Sequence, residues 1–406
     1  MVIDPEAKAK VLKYRWVIFA ALAAAYFFVY FHRTTGGSIS VTLQNVFNVG
    51  AADVAILASA YLYAYTLMQI PSGILTDKLG PRTAATAFIV LLVLGSLLCS
   101  LAEPADNFTM MVVGKFVIGA GAAVIYIAVM KVLAIWFRKN EFATMNGVLL
   151  MIGNVGGIAA AYPMVFMMDS LGTCMTYATL TTVTAVIAVF IWLLVRDHPS
   201  KMGLPSVEEI VAEETGVPSK EPTTSEKISI AKAMKMIFLS GMKFWPLAMW
   251  SFCTYGTIML WQAAQAGSFY GVVGLSKSEY GIILMMVGAG MAFGCPLSGH
   301  LSDKIFKSRK KVLVTGALMY TLVWITIWLT ADTSIASNHS MQMVVNFLFG
   351  FFGGFFVVSY AQIKELYPIE MAGTSTATLN SFTFAGGAIL VTISGFMLSD
   401  VPTMAE

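Results

Sequence analysis

The chain has 406 residues, of which 58% are hydrophobic and only 12% charged, and its mean hydropathy is +0.77. A soluble chain of this length cannot bury so much apolar surface, which leaves a membrane protein as the class. The formal charge of +3, from 25 basic and 22 acidic residues, is too small to suggest nucleic-acid binding.

A helix crossing a hydrocarbon layer of roughly 30 Å needs about 20 apolar residues. Such runs lie at 15–40, 53–75, 83–102, 109–137, 142–168, 174–195, 243–268, 279–300, 311–331, 340–366 and 372–398, eleven in all. Their lengths and lack of alternating polarity exclude barrel strands, so the fold class is all-α and polytopic. The first run follows Lys8, Lys10, Lys13 and Arg15 and is too long for a signal-peptide core, so it is a retained span. Cys99, Cys174, Cys253 and Cys295 lack metal or redox spacing and read as small hydrophobes. The glycines of 114–121 and 350–354 read as helix-packing seams.

Basic residues mark alternate links: Lys8 to Arg15, Lys78 and Arg82, Arg138 and Lys139, Arg196 and Lys201, Lys304 to Lys311, and Lys364. The intervening links carry no Lys or Arg except Lys277. This bias places the N-terminus in the cytoplasm and the protein in the plasma (cytoplasmic) membrane. The long polar stretch 197–242 reads as a cytoplasmic linker between an N-terminal six-helix bundle, 1–196, and a C-terminal bundle, 243–406, with five helices. Its Glu208, Glu209, Glu213 and Glu214 read as a solvated face, not a metal site. Asn107-Phe-Thr and Asn338-His-Ser fit glycosylation triplets on the outer side.

The chain also repeats itself. Ser-Gly-Ile-Leu-Thr-Asp-Lys at 72–78 recurs as Ser-Gly-His-Leu-Ser-Asp-Lys at 298–304, and Asn154-Val-Gly-Gly157 is echoed by Phe384-Ala-Gly-Gly387. Two related helical halves follow. With this duplication and the segment Gly73-Ile-Leu-Thr-Asp77-Lys-Leu-Gly80-Pro-Arg82, the chain resembles the major facilitator superfamily over nearly its whole length. The resemblance implies two pseudo-symmetric six-helix halves, alternating access, and a twelfth helix starting near residue 404. The sequence ends at Glu406, and the expectation is a truncation there, with natural loss of that helix as the alternative and the end on the outer side in either case. Asp77, Arg82 and Asp303 are expected to form a conformational latch, with Asp77 capping a helix N-terminus or pairing with Arg82.

An ionisable side chain at mid-membrane costs at least about 2.5 to 3.5 kcal/mol, so each needs a reason. Arg33 closes the sequence Tyr26-Phe-Phe-Val-Tyr30-Phe-His32-Arg33, about 25 Å along the first helix from Trp16. Lys115 and Lys131 lie on the fourth span. No carboxylate sits in mid-membrane: Asp53, Asp169, Glu279 and Asp332 fall at outer ends, and Asp77, Glu141, Asp303, Glu365 and Glu370 at inner ones. An arginine without a protein acid predicts a bound anion, because guanidinium matches carboxylate or phosphate bidentately.

The expected substrate-binding residues are Arg33, Tyr30 and Tyr26 on one face of the first helix, with Tyr255, Gln262, Lys131 and Asn154. The competing readings are snorkelling or backbone pairing for Lys131 and Lys115 and interhelical hydrogen bonding for the polar groups. Tyr61, Tyr63 and Tyr65 alternate faces and cannot all line one cavity. The stretches from Arg15-Trp16 to Arg33, from Arg196 to Glu209 and from Gly299 to Phe306 resemble the organophosphate:phosphate antiporter branch, which implies that Arg33 binds the anion. That branch's second binding arginine falls at Thr254 and its fifth-helix histidine at Ile152, departures that favour a monoanion over a dianionic phosphate ester.

The expected function is therefore transport of a small organic anion, carboxylate or phosphorylated, by anion exchange. Proton-coupled symport with His32 as the proton carrier is the alternative, and a transporter-like sensor a further one. No Ser/His/Asp set, metal cluster or carboxylate pair points to an enzyme. No cofactor, metal or nucleic acid is expected. The expected partners are a small anionic solute and membrane lipid, with the protein a monomer.

Overall fold

The computed structural model describes residues 3–138, 141–215, 230–367 and 371–398. The side chains of a few helical residues, Asp77 among them, lie outside the described residues. The first half contains α1 (Pro5–Ser38), α2 (Ser40–Phe47), α3 (Ala51–Leu79), α4 (Pro81–Ala102), α5 (Phe108–Trp136), α6 (Phe142–Ala159) and α7 (Tyr162–Leu194). Two short helices follow, α8 (Val207–Thr215) and α9 (Ile230–Leu239). The second half contains α10 (Trp245–Leu260), α11 (Ala266–Val272), α12 (Lys277–His300), α13 (Arg309–Thr330), α14 (His339–Gly353), α15 (Val358–Leu366) and α16 (Ala372–Leu398).

Among the described residues, eight helical segments are each long and apolar enough to cross a membrane, and the bent pair α2–α3 makes a ninth. The other two expected runs are helical but interrupted. Run 142–168 is α6, a two-residue turn, and the start of α7, which turns again at Gly172. With φ 78° and ψ 170°, Gly172 adopts a backbone that other residues rarely enter, and it divides the fifth run from the sixth. Run 243–268 is α10 continued through a π-turn at Trp261–Gln265 into α11.

Lipid offers backbone groups no partner, so helix ends must be satisfied by the protein. The Asn107 side chain accepts from the Met110 amide at 2.9 Å and the Asn338 side chain from Met341 at 3.1 Å. Both asparagines, read from sequence as glycosylation triplets, serve as N-caps.

The sequence repeat is also a packing repeat. A Cβ at Gly156 of α6 would lie 2.2 Å from the Phe27 carbonyl of α1, and one at Gly386 of α16 would lie 2.1 Å from the Phe252 carbonyl of α10. The same glycine-on-carbonyl contact thus joins the first and fifth spans of each half. Outside, side chains such as Phe166, Leu193, Trp328 and Phe396 are exposed, an apolar exterior suited to lipid.

Helix α8 docks on the first half by burying Val207 and Ile210. Of the linker acids, Glu209 accepts from the Ser206 amide of its own helix start, while Glu214 pairs with Lys8 at 3.0 Å and Arg138 at 2.9 Å. Between the halves, contacts are concentrated on the side away from the N-terminus. There Gln44 donates to Ser268 at 3.1 Å, and Lys277, the exception to the charge bias, pairs with Asp169 at 3.5 Å. Toward the N-terminal side, Asn380 donates to Gln69 at 2.8 Å.

Candidate functional site

Arg33 is 5% exposed and lies where the two halves face each other. Its guanidinium carbon sits 4.3 Å from the ring centre of Tyr30, 4.9 Å from Tyr65 and 4.8 Å from Phe384. Nη1 donates to the Tyr255 hydroxyl at 3.2 Å, whereas Nε and Nη2 are buried without a hydrogen-bond partner. Among the described residues no carboxylate lies within ion-pair distance of Arg33. Three aromatic faces can each supply about 2 kcal/mol to a desolvated cation, which offsets part of the burial cost without using the remaining N–H donors. Tyr30 and Tyr65 come from the first half, Tyr255 and Phe384 from the second.

The elements explain the arrangement. Tyr30 and Arg33 are three residues apart on α1, and Tyr61 and Tyr65 four apart on α3, so each pair shares a face. Tyr61 stacks on Tyr65, while Tyr63 turns away to meet Thr392. Tyr26 packs its ring 5.2 Å from Tyr30 and 5.6 Å from Tyr126, extending the aromatic wall. The π-turn of the seventh span is fixed by Trp261 donating to Asn346 at 2.9 Å and Gln265 donating to Ser394 at 3.0 Å. Gln262 on that turn is buried, and the turn packs against α1.

Of the residues expected at the site, Arg33, Tyr30 and Tyr255 are in direct contact and Tyr26 is one ring away. Asn154 is half-buried on α6, next to Gly153, whose missing side chain leaves room for the Tyr26 and Tyr30 rings. Lys131 is not in this group: its ammonium donates to the Thr76 carbonyl at 3.0 Å, near the N-terminal-side ends of α5 and α3. That carbonyl already accepts from the Gly80 amide at 3.1 Å, so the lysine takes its second lone pair in the last helical turn, where a cation is favoured. Lys115 is likewise engaged with α1, donating to Thr35 at 2.6 Å and to the His32 carbonyl at 3.3 Å. His32 is 1% exposed with both ring nitrogens unpartnered, and adjacent helical positions diverge by about 100°, which separates it from Arg33.

Of the charges expected as a latch, Arg82 and Asp303 each find their partners within one half. Arg82 donates from Nε to the Trp192 carbonyl at 3.0 Å, its guanidinium stacks 4.2 Å from the Trp192 ring, and its amide meets Asp197 at 2.9 Å. The carbonyls ending α7 attract a cation there. Asp303 pairs with Arg309, which also binds Glu365 at 2.7 Å. The side chain of Asp77 lies outside the described residues.

Sequence reasoning missed Tyr65 and Phe384. Phe384 stands at the repeat position of Asn154, and that equivalence is the signal the sequence offers for it. Thr254, at the place of the branch's second arginine, is buried and carries no charge; the adjacent Tyr255 reaches Arg33.

A family model described as the Major Facilitator Superfamily matches residues 22–305 and 251–403. The chain is 25% identical to a probable hexose phosphate transport protein of Chlamydia muridarum, across 95% of this chain and 85% of that protein. It is 23% identical to a hexuronate transporter of Escherichia coli, across 76% of this chain and 72% of the other. Its fold matches the crystal structure of a bacterial homologue of the human lysosomal transporter Spinster, inward-facing and unoccupied, with a TM-score of 0.74 over 95% of this chain, 83% of that one and 18% identity.

Proposed function

Because the chain belongs to the major facilitator superfamily and is a multi-pass membrane transporter, not an enzyme, we propose that its cargo is a small organic anion held by Arg33. The carrying observation is a buried guanidinium that contacts both halves, has no facing acid among the described residues, and keeps Nε and Nη2 unpartnered. A carboxylate or phosphoryl group supplies both charge and a bidentate acceptor. The relatives named for hexose phosphate and hexuronate support an anion of sugar type. A single guanidinium at the centre favours a monoanionic sugar acid over a dianionic phosphate ester.

The protein works as a monomer by rocking its halves about this site, with the N-terminus in the cytoplasm of a plasma membrane. Bonds concentrated on the far side support an inward-facing state, in which cargo reaches Arg33 from the N-terminal side. Exchange of one anion for another is the simplest coupling, since no membrane-embedded carboxylate is available to carry a proton. Proton-coupled symport through His32 is the second reading, favoured by its two unpartnered ring nitrogens.

Purified protein in liposomes separates the two. Counterflow of labelled hexuronate at equal pH on both sides is expected for exchange, and uptake that requires an imposed proton gradient is expected for symport. The anion assignment itself fails if Arg33→Gln transports the anion as wild type does.

A further inference from the structure

The basic cluster that opens α1 divides by helix face. Lys8 is matched by Glu214 at 3.0 Å and Arg15 by Glu141 at 2.6 Å, both toward the protein. Lys10 and Lys13 are exposed on the other face and form no ion pair among the described residues, with Glu6 one turn away as the sole acid on their rim. Beneath them runs a groove between α1 and α7. It opens above onto a depression on α1 lined by Lys10, Lys13 and Tyr14, and Val17 joins that depression to the apolar slot of about 290 Å³. Ala20, Ala21 and Ala24 form one wall of that slot, and Ile187, Phe190 and Leu194 the other. The Tyr14 hydroxyl, donating to the Leu194 carbonyl at 2.7 Å, ties the two helices at its mouth.

We propose that this groove binds an anionic phospholipid of the leaflet on the N-terminal side, its phosphate between Lys10 and Lys13 and one acyl chain along the alanine wall. The dimensions agree: from Val17 to Ala24 the helix rises about 10 Å, within the roughly 15 Å that one leaflet contributes to the hydrocarbon core. Charge agrees as well, because two unpaired ammonium groups at headgroup depth attract anionic lipid over zwitterionic lipid. Trp16, half exposed beside them, suits the same interfacial depth. The groove is separate from Arg33 and its cargo, so lipid occupancy and transport specificity are independent readings.

Native mass spectrometry of the full chain, released from nanodiscs containing equal phosphatidylglycerol and phosphatidylcholine, tests this. Wild type is expected to retain phosphatidylglycerol preferentially, and Lys10→Gln/Lys13→Gln to lose roughly tenfold of that preference, the scale of two surface lysines partly offset by Glu6. Ala21→Leu/Ala24→Leu, which fills the slot, is expected to lower retention of both lipids, while Lys310→Gln/Lys311→Gln on α13 changes neither. Unaltered phosphatidylglycerol preference in the double lysine variant, or no preference in wild type, overturns the proposal. So does a dimer that disappears with the groove-filling variant, since the groove would then be an interface between copies.

Discussion

Two arginines on α1 stand eighteen residues apart, both largely buried, and the protein treats them oppositely. Arg15 makes a two-pronged contact with Glu141, at 2.6 and 3.1 Å, and its guanidinium also lies 4.9 Å from the Phe137 ring. Arg33 receives aromatic faces and the Tyr255 phenol, but no acid among the described residues. A buried cation closed by a carboxylate has its charge answered within the fold and acts as a fastening. One stabilised by π faces alone tolerates burial while keeping donors for a partner that comes and goes.

Several substitutions break or sharpen this contrast. The largest effect is expected from Arg33→Gln, which should lower the rate of anion counterflow at least a hundredfold while leaving thermal stability near that of wild type. Arg33→Lys should fall between, since an ammonium keeps the charge and loses the planar fork. At the other arginine the pattern should invert. Glu141→Gln leaves Arg15 facing a neutral amide and should cost about 1–3 kcal/mol of stability, read as a lower Tm, with the substrate KM unchanged.

The Arg15 end also carries a pH signature. Burial alone would raise the Glu141 carboxyl, but the Arg138 amide and the Arg15 guanidinium outweigh it and hold the group below the usual carboxylate range. A depressed acid contributes stability that is fully present above its unfolded value of about 4.3 and is lost as pH falls through the folded value. The Tm difference between wild type and Glu141→Gln should therefore shrink below about pH 4. Phe384→Leu removes one face from the Arg33 cage and should weaken anion affinity by roughly three- to thirtyfold, the range for one cation–π contact. Smallest is Lys277→Gln. That pair is more than a third exposed on both sides, so its loss should move the open-state population only a fewfold, measured by thiol labelling at engineered far-side cysteines.

Most of the architecture was legible because lipid enforces it: apolar length marks a span, and basic residues mark alternate links. The interruptions were less legible, since a π-turn at 261–265 or a twist at Gly172 leaves the hydropathy of a run unchanged. At the site, Arg33 stood out by its cost and Tyr30 by its helical spacing. Phe384 and Tyr65 did not, because an aromatic ring in an apolar span carries no mark of which cation it will face, whether on the next long helix or, for Phe384, across more than 300 residues of chain. The loop charges were legible as charges but not in all their contacts: the Arg82 guanidinium also meets the end of α7, a hundred residues away, which no local spacing announces.

The claim at the centre is that Arg33 reads the negative charge of the cargo. Counterflow of a labelled hexuronate against its uncharged amide, in wild type and Arg33→Gln, addresses it directly. The account predicts that wild type strongly prefers the acid and that the variant loses the preference. A variant that still selects the acid over the amide would contradict it.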